Sequence, residues 1–163
     1  MFSERLLTLL SEDYYRNISV HTHFYLKDEY KLRGIHIDDA RTEPPAGYRG
    51  NITRTCHAIS ELRDAKKQCN YVFLHSIFDS QTNSDEKSSF TLDELREASR
   101  QGLIDKHVYA LGGMNIDNVK TAKELGFGGV VICGDLWNRF DIHSQTDYRG
   151  LLQHFERLRK AVD

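Results

Sequence analysis

Cysteine is scarce in this sequence, and its spacing excludes two common kinds of site. The three cysteines are Cys56, Cys69 and Cys133, and no Cys-x-x-Cys pair is present, which argues against a structural zinc site. Because the number is odd and the positions are far apart, a disulfide framework is not expected. Reduced thiols of this kind are typical of a cytoplasmic protein, and we predict that location.

Long apolar runs and an excess of basic residues are also missing. The apolar runs are far shorter than the ~20 residues that cross a bilayer, and no basic and apolar leader is expected at the start of the chain. The sequence has 22 Lys and Arg against 24 Asp and Glu, a formal net charge of −2. We therefore expect neither a membrane segment nor a nucleic-acid partner. The length of 163 residues suits one domain, which we predict over residues 1–163.

What the sequence does contain is a regular alternation of strand and helix patterns. Strands are predicted at 18–20, 34–37, 51–57, 71–77, 108–112 and 130–133. Helices are predicted at 24–32, 60–67, 91–101 and 116–125. Thr91 and Glu94 have the spacing of a capping box, which marks the start of the third of these helices. Such a βαβα series with short connections predicts an α/β fold with a parallel sheet.

Two more helical patterns lie near the ends of the chain. The first is expected to begin at Ser3 and to turn four leucines towards the core, Leu6, Leu7, Leu9 and Leu10. The last carries an apolar stripe at helical spacing, made of Tyr148, Leu151, Leu152, Phe155 and Leu158. Residues 79–89 are rich in Ser, Asp and Asn, and this composition predicts a mobile loop.

Two consecutive strands that end in glycine are the most informative feature. Gly112 and Gly113 follow one apolar strand, Cys133 and Gly134 follow the next, and a helical pattern lies between them. In a parallel βα-barrel, the carboxyl ends of the last two strands are where a phosphate group binds. We predict that these four residues hold a phosphate through backbone N–H groups. The structural alternative for the glycine pair is a tight turn before a helix.

Five segments, taken in order, resemble one known family. They are Gly34-Ile-His-Ile37, Thr55-Cys-His57, the segment from Tyr71 to Thr82, Ala110-Leu-Gly-Gly113 and Val131-Ile-Cys-Gly134. Together they resemble the thiamine phosphate synthase and TenI thiazole tautomerase superfamily, over almost the whole chain. That family consists of (β/α)8 TIM-type barrels. Six predicted strands therefore imply an incomplete barrel, in which the family's first two strands have no counterpart.

The resemblance implies a reaction and a set of site residues. A synthase joins pyrimidine pyrophosphate to thiazole phosphate with Mg²⁺, so both phosphorylated compounds would be small-molecule partners. The thiazole phosphate would lie at the glycine-ended strands. The pyrophosphate would bind Thr55, Ser80 and Thr82, and the metal would bind Asp38 or Asp39.

The sequence departs from the family pattern in the part of the site that would bind the pyrophosphate and the metal. The family's Asn-Asp metal pair aligns with His21 and Thr22, and the lysine of its phosphate loop aligns with Asn83. The Gln-x-Arg-x-Lys triplet, which belongs to the absent second strand, has no match in the sequence. These departures imply that the thiazole phosphate site is retained while the pyrophosphate and metal half is degraded.

Two alternatives to the synthase are therefore open. A TenI-like tautomerase needs no metal, and His75 is its candidate acid–base residue, although the family places its histidine one position later, at Ser76. A non-catalytic phosphate-binding remnant is the other alternative. Because strands at both ends of the sheet would lack a neighbour, we also expect a possible homo-oligomer formed through the open sheet edges.

Overall fold

Six parallel strands form one sheet in the order of the chain. The structure is a computed structural model that describes residues 2–39, 41–141, 143 and 148–163. The strands are β1 (Ser19–Val20), β2 (Gly34–Ile37), β3 (Asn51–Cys56), β4 (Tyr71–His75), β5 (Val108–Leu111) and β6 (Gly129–Val131). Each pairs in parallel with the next strand along the sequence. All six predicted strands are confirmed, and their boundaries differ from the predicted ones by at most two residues.

Helices connect the strands, as a parallel sheet requires. The α-helices are α1 (Phe2–Thr8), α2 (Tyr25–Glu29), α3 (Leu62–Gln68), α4 (Leu92–Arg100), α5 (Val119–Glu124), α6 (Gly134–Trp137) and α7 (Arg149–Val162), and 3-10 turns lie at Glu12–Asn17 and Ile59–Glu61. The capping box of α4 is confirmed, because the Glu94 N–H donates to the Thr91 hydroxyl while the Glu94 carboxylate accepts from the Thr91 N–H. None of the helices in the described ranges has the length and apolar content needed to span a membrane.

The two faces of the sheet differ in burial. On the face covered by helices, Ile35, Val72 and Val108 are fully buried. On the opposite, concave face, Tyr71, Phe73 and Tyr109 are half-buried and Thr53 and Thr55 are buried. Tyr71 stacks on Tyr109 with ring centroids 4.8 Å apart. The sheet is thus a curled half-barrel whose interior is filled by aromatic side chains from neighbouring strands.

Two apolar clusters support this sheet. The larger lies beneath β3 to β6 and includes Leu62, Leu74 and Leu95. The smaller consists of Leu7, Leu26 and Leu32, with partly buried residues of β1 packed against it. The clusters have no buried residue in common, so the fold has a main core and a separate, smaller one under β1.

The apolar faces predicted for the two end helices are only partly buried. Leu7 in α1 is buried, but Leu6 in the same helix is exposed, as are Leu9 and Leu10 just beyond its end. The prediction of four inward leucines was therefore wrong. In α7, Leu158 is buried together with a polar residue, His154, while Leu152 and Phe155 are exposed. The reason is the position of each helix. Leu7 of α1 packs with Leu26 and Leu32 in the smaller cluster. Helix α7 packs on α5 and α6, and its His154 bonds to Asp135 of α6.

The open edges of the sheet lead to a first expected result. Within the described residues, β1 pairs with β2 alone and β6 with β5 alone, and Leu9 nearby is 75% exposed. Unpaired strand edges and exposed leucines favour association. We expect concentration-dependent dimers or larger species in sedimentation velocity, and weaker association after Leu9→Lys. A monodisperse monomer that unfolds cooperatively would contradict this expectation.

Candidate functional site

A cavity lies where the carboxyl ends of β4, β5 and β6 meet. Its volume is about 200 Å³. The strand ends contribute His75, the glycine pair and the Cys133–Gly134 turn, and the loop after β4 contributes Ser80, Gln81, Thr82 and Glu86. The structure therefore brings together seven residues that the sequence predicted for a site, namely His75, Ser80, Thr82, Gly112, Gly113, Cys133 and Gly134.

The loop at 79–89 is held over the cavity by hydrogen bonds. The Ser80 N–H donates to the Glu86 carbonyl at 2.9 Å, which closes the loop on itself. The Gln81 side-chain amide donates to the Gly113 carbonyl at 3.1 Å and attaches the loop to the opposite wall. The hydroxyls of Ser80 and Thr82 then lie 3.2 Å apart. Both hydroxyls are in place to bind an anion beside the glycines.

Glycine is required at both positions that follow β5. Gly112 has φ +103° and Gly113 has φ +62°, values that side chains disfavour. A Cβ atom at Gly112 would overlap Ser76, and one at Gly113 would overlap the backbone of Asp79. The glycine pair thus lets the backbone of β5 lie directly against the loop after β4. Within the described part of the chain, the N–H groups of Gly113 and Gly134 donate to no protein acceptor, so they are available to a ligand.

His75 lines the cavity, whereas the next residue, Ser76, does not. The His75 side chain is half-buried in the cavity wall, whereas Ser76 is buried and its hydroxyl donates to the Phe78 carbonyl at 2.9 Å. Burial lowers the pKa of His75, and the nearby His57 ring, with its centroid 5.5 Å away, lowers it further. His75 is therefore a neutral imidazole near pH 7, able to accept a proton.

Thr55 lies outside this cavity. It is buried on β3, and its hydroxyl is 2.9 Å from Nε2 of His36. The structure therefore separates Thr55 from Ser80 and Thr82, with which the resemblance grouped it. Its pyrophosphate role stays a prediction.

Asp38 and Asp39 follow β2, also away from the cavity. The Asp38 carboxylate is 3.1 Å from Nε2 of His36. The Asp39 carboxylate accepts from the hydroxyl and the N–H of Thr42 and from the Arg41 N–H, and these bonds lower the pKa of Asp39. In the described ranges, no three His, Cys, Asp or Glu side chains cluster around a point where a metal could bind. Mg²⁺ commonly binds through one or two carboxylates together with water and substrate phosphates, so the metal assignment stays a prediction.

The sequence patterns did not reveal one buried polar residue that lines the cavity. Asp135, the residue after Gly134, is 6% exposed, and its carboxylate lies 2.6 Å from Nε2 of His154 and 3.0 Å from the Arg139 guanidinium. Two signals were available. A carboxylate follows directly on the glycine turn, and a histidine interrupts the apolar pattern of the last helix.

Comparison with known proteins assigns the chain to a family. The family model for thiamine monophosphate synthase matches residues 8–136, which is most of the chain. The chain belongs to the thiamine monophosphate synthase family. The resemblance seen in the sequence and the incomplete, TIM-barrel-like α/β fold are both confirmed.

Solved and curated members of the family show how the chain relates to them. The thiamine phosphate pyrophosphorylase of Bacteroides thetaiotaomicron is 42% identical with a TM-score of 0.89, and the match covers 100% of this chain and 78% of that one. The thiamine-phosphate synthase of Flavobacterium johnsoniae is 27% identical, over 78% of this chain. The chain spans 65% of the length of that curated relative. The Pyrococcus furiosus thiamine phosphate pyrophosphorylase, at 20% identity and TM-score 0.63 over 88% of this chain and 66% of that one, shares the fold.

Proposed function

We propose that this protein binds a phosphorylated thiazole in the cavity and catalyses thiamine-phosphate synthesis only slowly. In that reaction, thiazole phosphate is joined to pyrimidine pyrophosphate. The observation that carries the proposal is that Gly113 and Gly134, whose N–H groups donate to no acceptor among the described residues, line the same cavity as Ser80 and Thr82. Backbone N–H groups and hydroxyls are the donors that bind phosphate oxygens without an added cation.

The charge of the cavity wall indicates modest affinity. Among the described residues that line it, there is no lysine or arginine, while two residues, Glu86 and Asp135, are acidic. A phosphate would therefore be held by dipoles and hydrogen bonds, each worth about 1 kcal/mol net or slightly more. The three thiols are free, in keeping with the cytoplasmic location that we propose for this reaction.

A second candidate function, thiazole tautomerisation, is favoured by the position of His75. Its imidazole lies in the same cavity as the proposed phosphate donors, and its lowered pKa keeps it neutral. One acid–base group is sufficient to take a proton from one atom of a bound thiazole and return it to another. This function needs no metal, so it does not depend on Asp38 or Asp39.

The substitution His75→Asn distinguishes binding of thiazole phosphate from proton transfer to it. We expect calorimetry to show that the wild-type protein binds thiazole phosphate and that inorganic phosphate competes. His75→Asn should keep this binding, because the phosphate donors are untouched, but should slow any tautomerisation by roughly 10²-fold or more. Binding without either reaction would support the remnant alternative. No binding of thiazole phosphate or inorganic phosphate would reject the proposed site.

A further inference from the structure

The short helix α6, which begins at the Cys133–Gly134 turn, forms hydrogen bonds with two neighbouring elements, the loop over the cavity and α7. It comprises Gly134–Trp137, too few residues to be stable through its own hydrogen bonds. On one side, the Asn138 amide donates to the Gln81 carbonyl at 3.3 Å and connects α6 to the loop over the cavity. On the other side, Asp135 connects it to α7 through His154. The position of the Cys133–Gly134 turn therefore depends on these contacts.

The contact with α7 is a charged hydrogen bond in a buried place. Arg157 donates to Nδ1 of His154 at 3.3 Å, so Nε2 carries the ring proton and donates to Asp135 at 2.6 Å. Burial would raise the pKa of Asp135, but the hydrogen bonds from His154 and Arg139 outweigh it and lower that pKa. Asp135 is thus an ionised carboxylate. Removing one of its hydrogen-bond donors would leave a buried negative charge with too few partners.

We propose that Asp135 and His154 are positioning residues for phosphate binding. Their hydrogen bond fixes α6 against α7, and so fixes the direction of the Gly134 N–H at the cavity wall. This inference rests on the proposed function. Asp135 lines the cavity, but its carboxylate is bonded to His154 and Arg139. His154 lies on α7, so the inference requires neither side chain to touch the ligand. Because Asp135 directly follows Gly134 in the chain, a shift of its carboxylate moves the Gly134 peptide.

The test compares three variants in calorimetry with thiazole phosphate. His154→Leu removes the donor at similar size and should weaken affinity roughly tenfold or more. His154→Gln places an amide donor close to the position of Nε2 and should recover most of that affinity. Leu158→Ala, at a buried residue one turn along the same helix, should lower the melting temperature but keep the affinity of the folded protein.

Backbone amide shifts of Gly134 and Leu136, measured by NMR without ligand, give a second readout. They should move in His154→Leu and stay close to wild type in His154→Gln and Leu158→Ala. If the wild type binds, three outcomes would overturn the inference. The first is unchanged amide shifts or affinity in His154→Leu, and the second is a failure of His154→Gln to recover affinity. The third is an equal loss of affinity in His154→Leu and Leu158→Ala. A wild-type protein that binds neither thiazole phosphate nor inorganic phosphate would reject the proposed function and, with it, this inference.

Discussion

Gly134→Asp should abolish binding of thiazole phosphate in calorimetry. The new carboxylate would stand where we propose that the phosphate binds, and its Cβ would lie 2.8 Å from the Thr82 methyl carbon. Two like charges about 4 Å apart repel by about 4 kcal/mol near a protein surface, which corresponds to roughly a thousandfold loss of affinity. Gly113→Asp should act in the same way, with added backbone strain from the φ of +62°.

Two comparisons show whether such a loss is local. Gly150→Asp introduces the same charge at an exposed position in the first turn of α7, where a Cβ meets no atom within 4 Å. It should bind like the wild type. Thr82→Ala removes one hydroxyl donor and should cost about tenfold or less. Equal affinity in Gly113→Asp, Gly134→Asp and Thr82→Ala, each shown to be folded by circular dichroism, would place the anion elsewhere.

Synthase turnover by this chain should be very slow, with or without Mg²⁺. Departure of pyrophosphate requires neutralisation of its developing charge, and losing one well-placed donor commonly costs ~10²–10³-fold in rate. The sequence has Thr22 at the aligned metal position, Asn83 in place of the loop lysine and no Gln-x-Arg-x-Lys triplet. Several such losses do not multiply, but together they should leave little activity.

A direct assay of the condensation product, with and without Mg²⁺, measures this turnover. Restoring the charges by Thr22→Asp together with Asn83→Lys should increase the rate, whereas Asn83→Gln, which adds length without charge, should not. Turnover that is rapid and Mg²⁺-dependent in the wild-type chain would contradict the expectation. It would mean that Asp38 or Asp39 supplies a metal site after all.

The sequence was sufficient to predict the strands and most of the cavity. β2 lies at the predicted residues 34–37, because glycine and alternating isoleucines mark it clearly. The seven predicted residues meet in one cavity because the carboxyl ends of neighbouring parallel strands lie side by side. The strand order therefore determines which residues are neighbours at this end of the sheet.

Other features depend on packing that local patterns do not describe. The helical spacing of leucines in α1 shows that Leu6 and Leu7 are close together, but not which of them a neighbouring element covers. The contact between Asp135 and His154 joins residues 19 positions apart on different helices. The hydrogen bond between the Thr55 hydroxyl and the His36 ring likewise joins residues 19 positions apart on neighbouring strands, and the family resemblance alone did not give it.

The strict chain order of the sheet makes the fold modular. Each strand pairs with its sequence neighbours, so forming β5–β6 joins residues only 20 positions apart, such as Tyr109 and Gly129, rather than distant parts of the chain. The main core lies under β3 to β6, the strands that carry the cavity, and it has no buried residue in common with the small cluster around Leu26. Fraying of β1 would therefore leave the cavity intact, so this edge can tolerate sequence change that the opposite end of the sheet cannot.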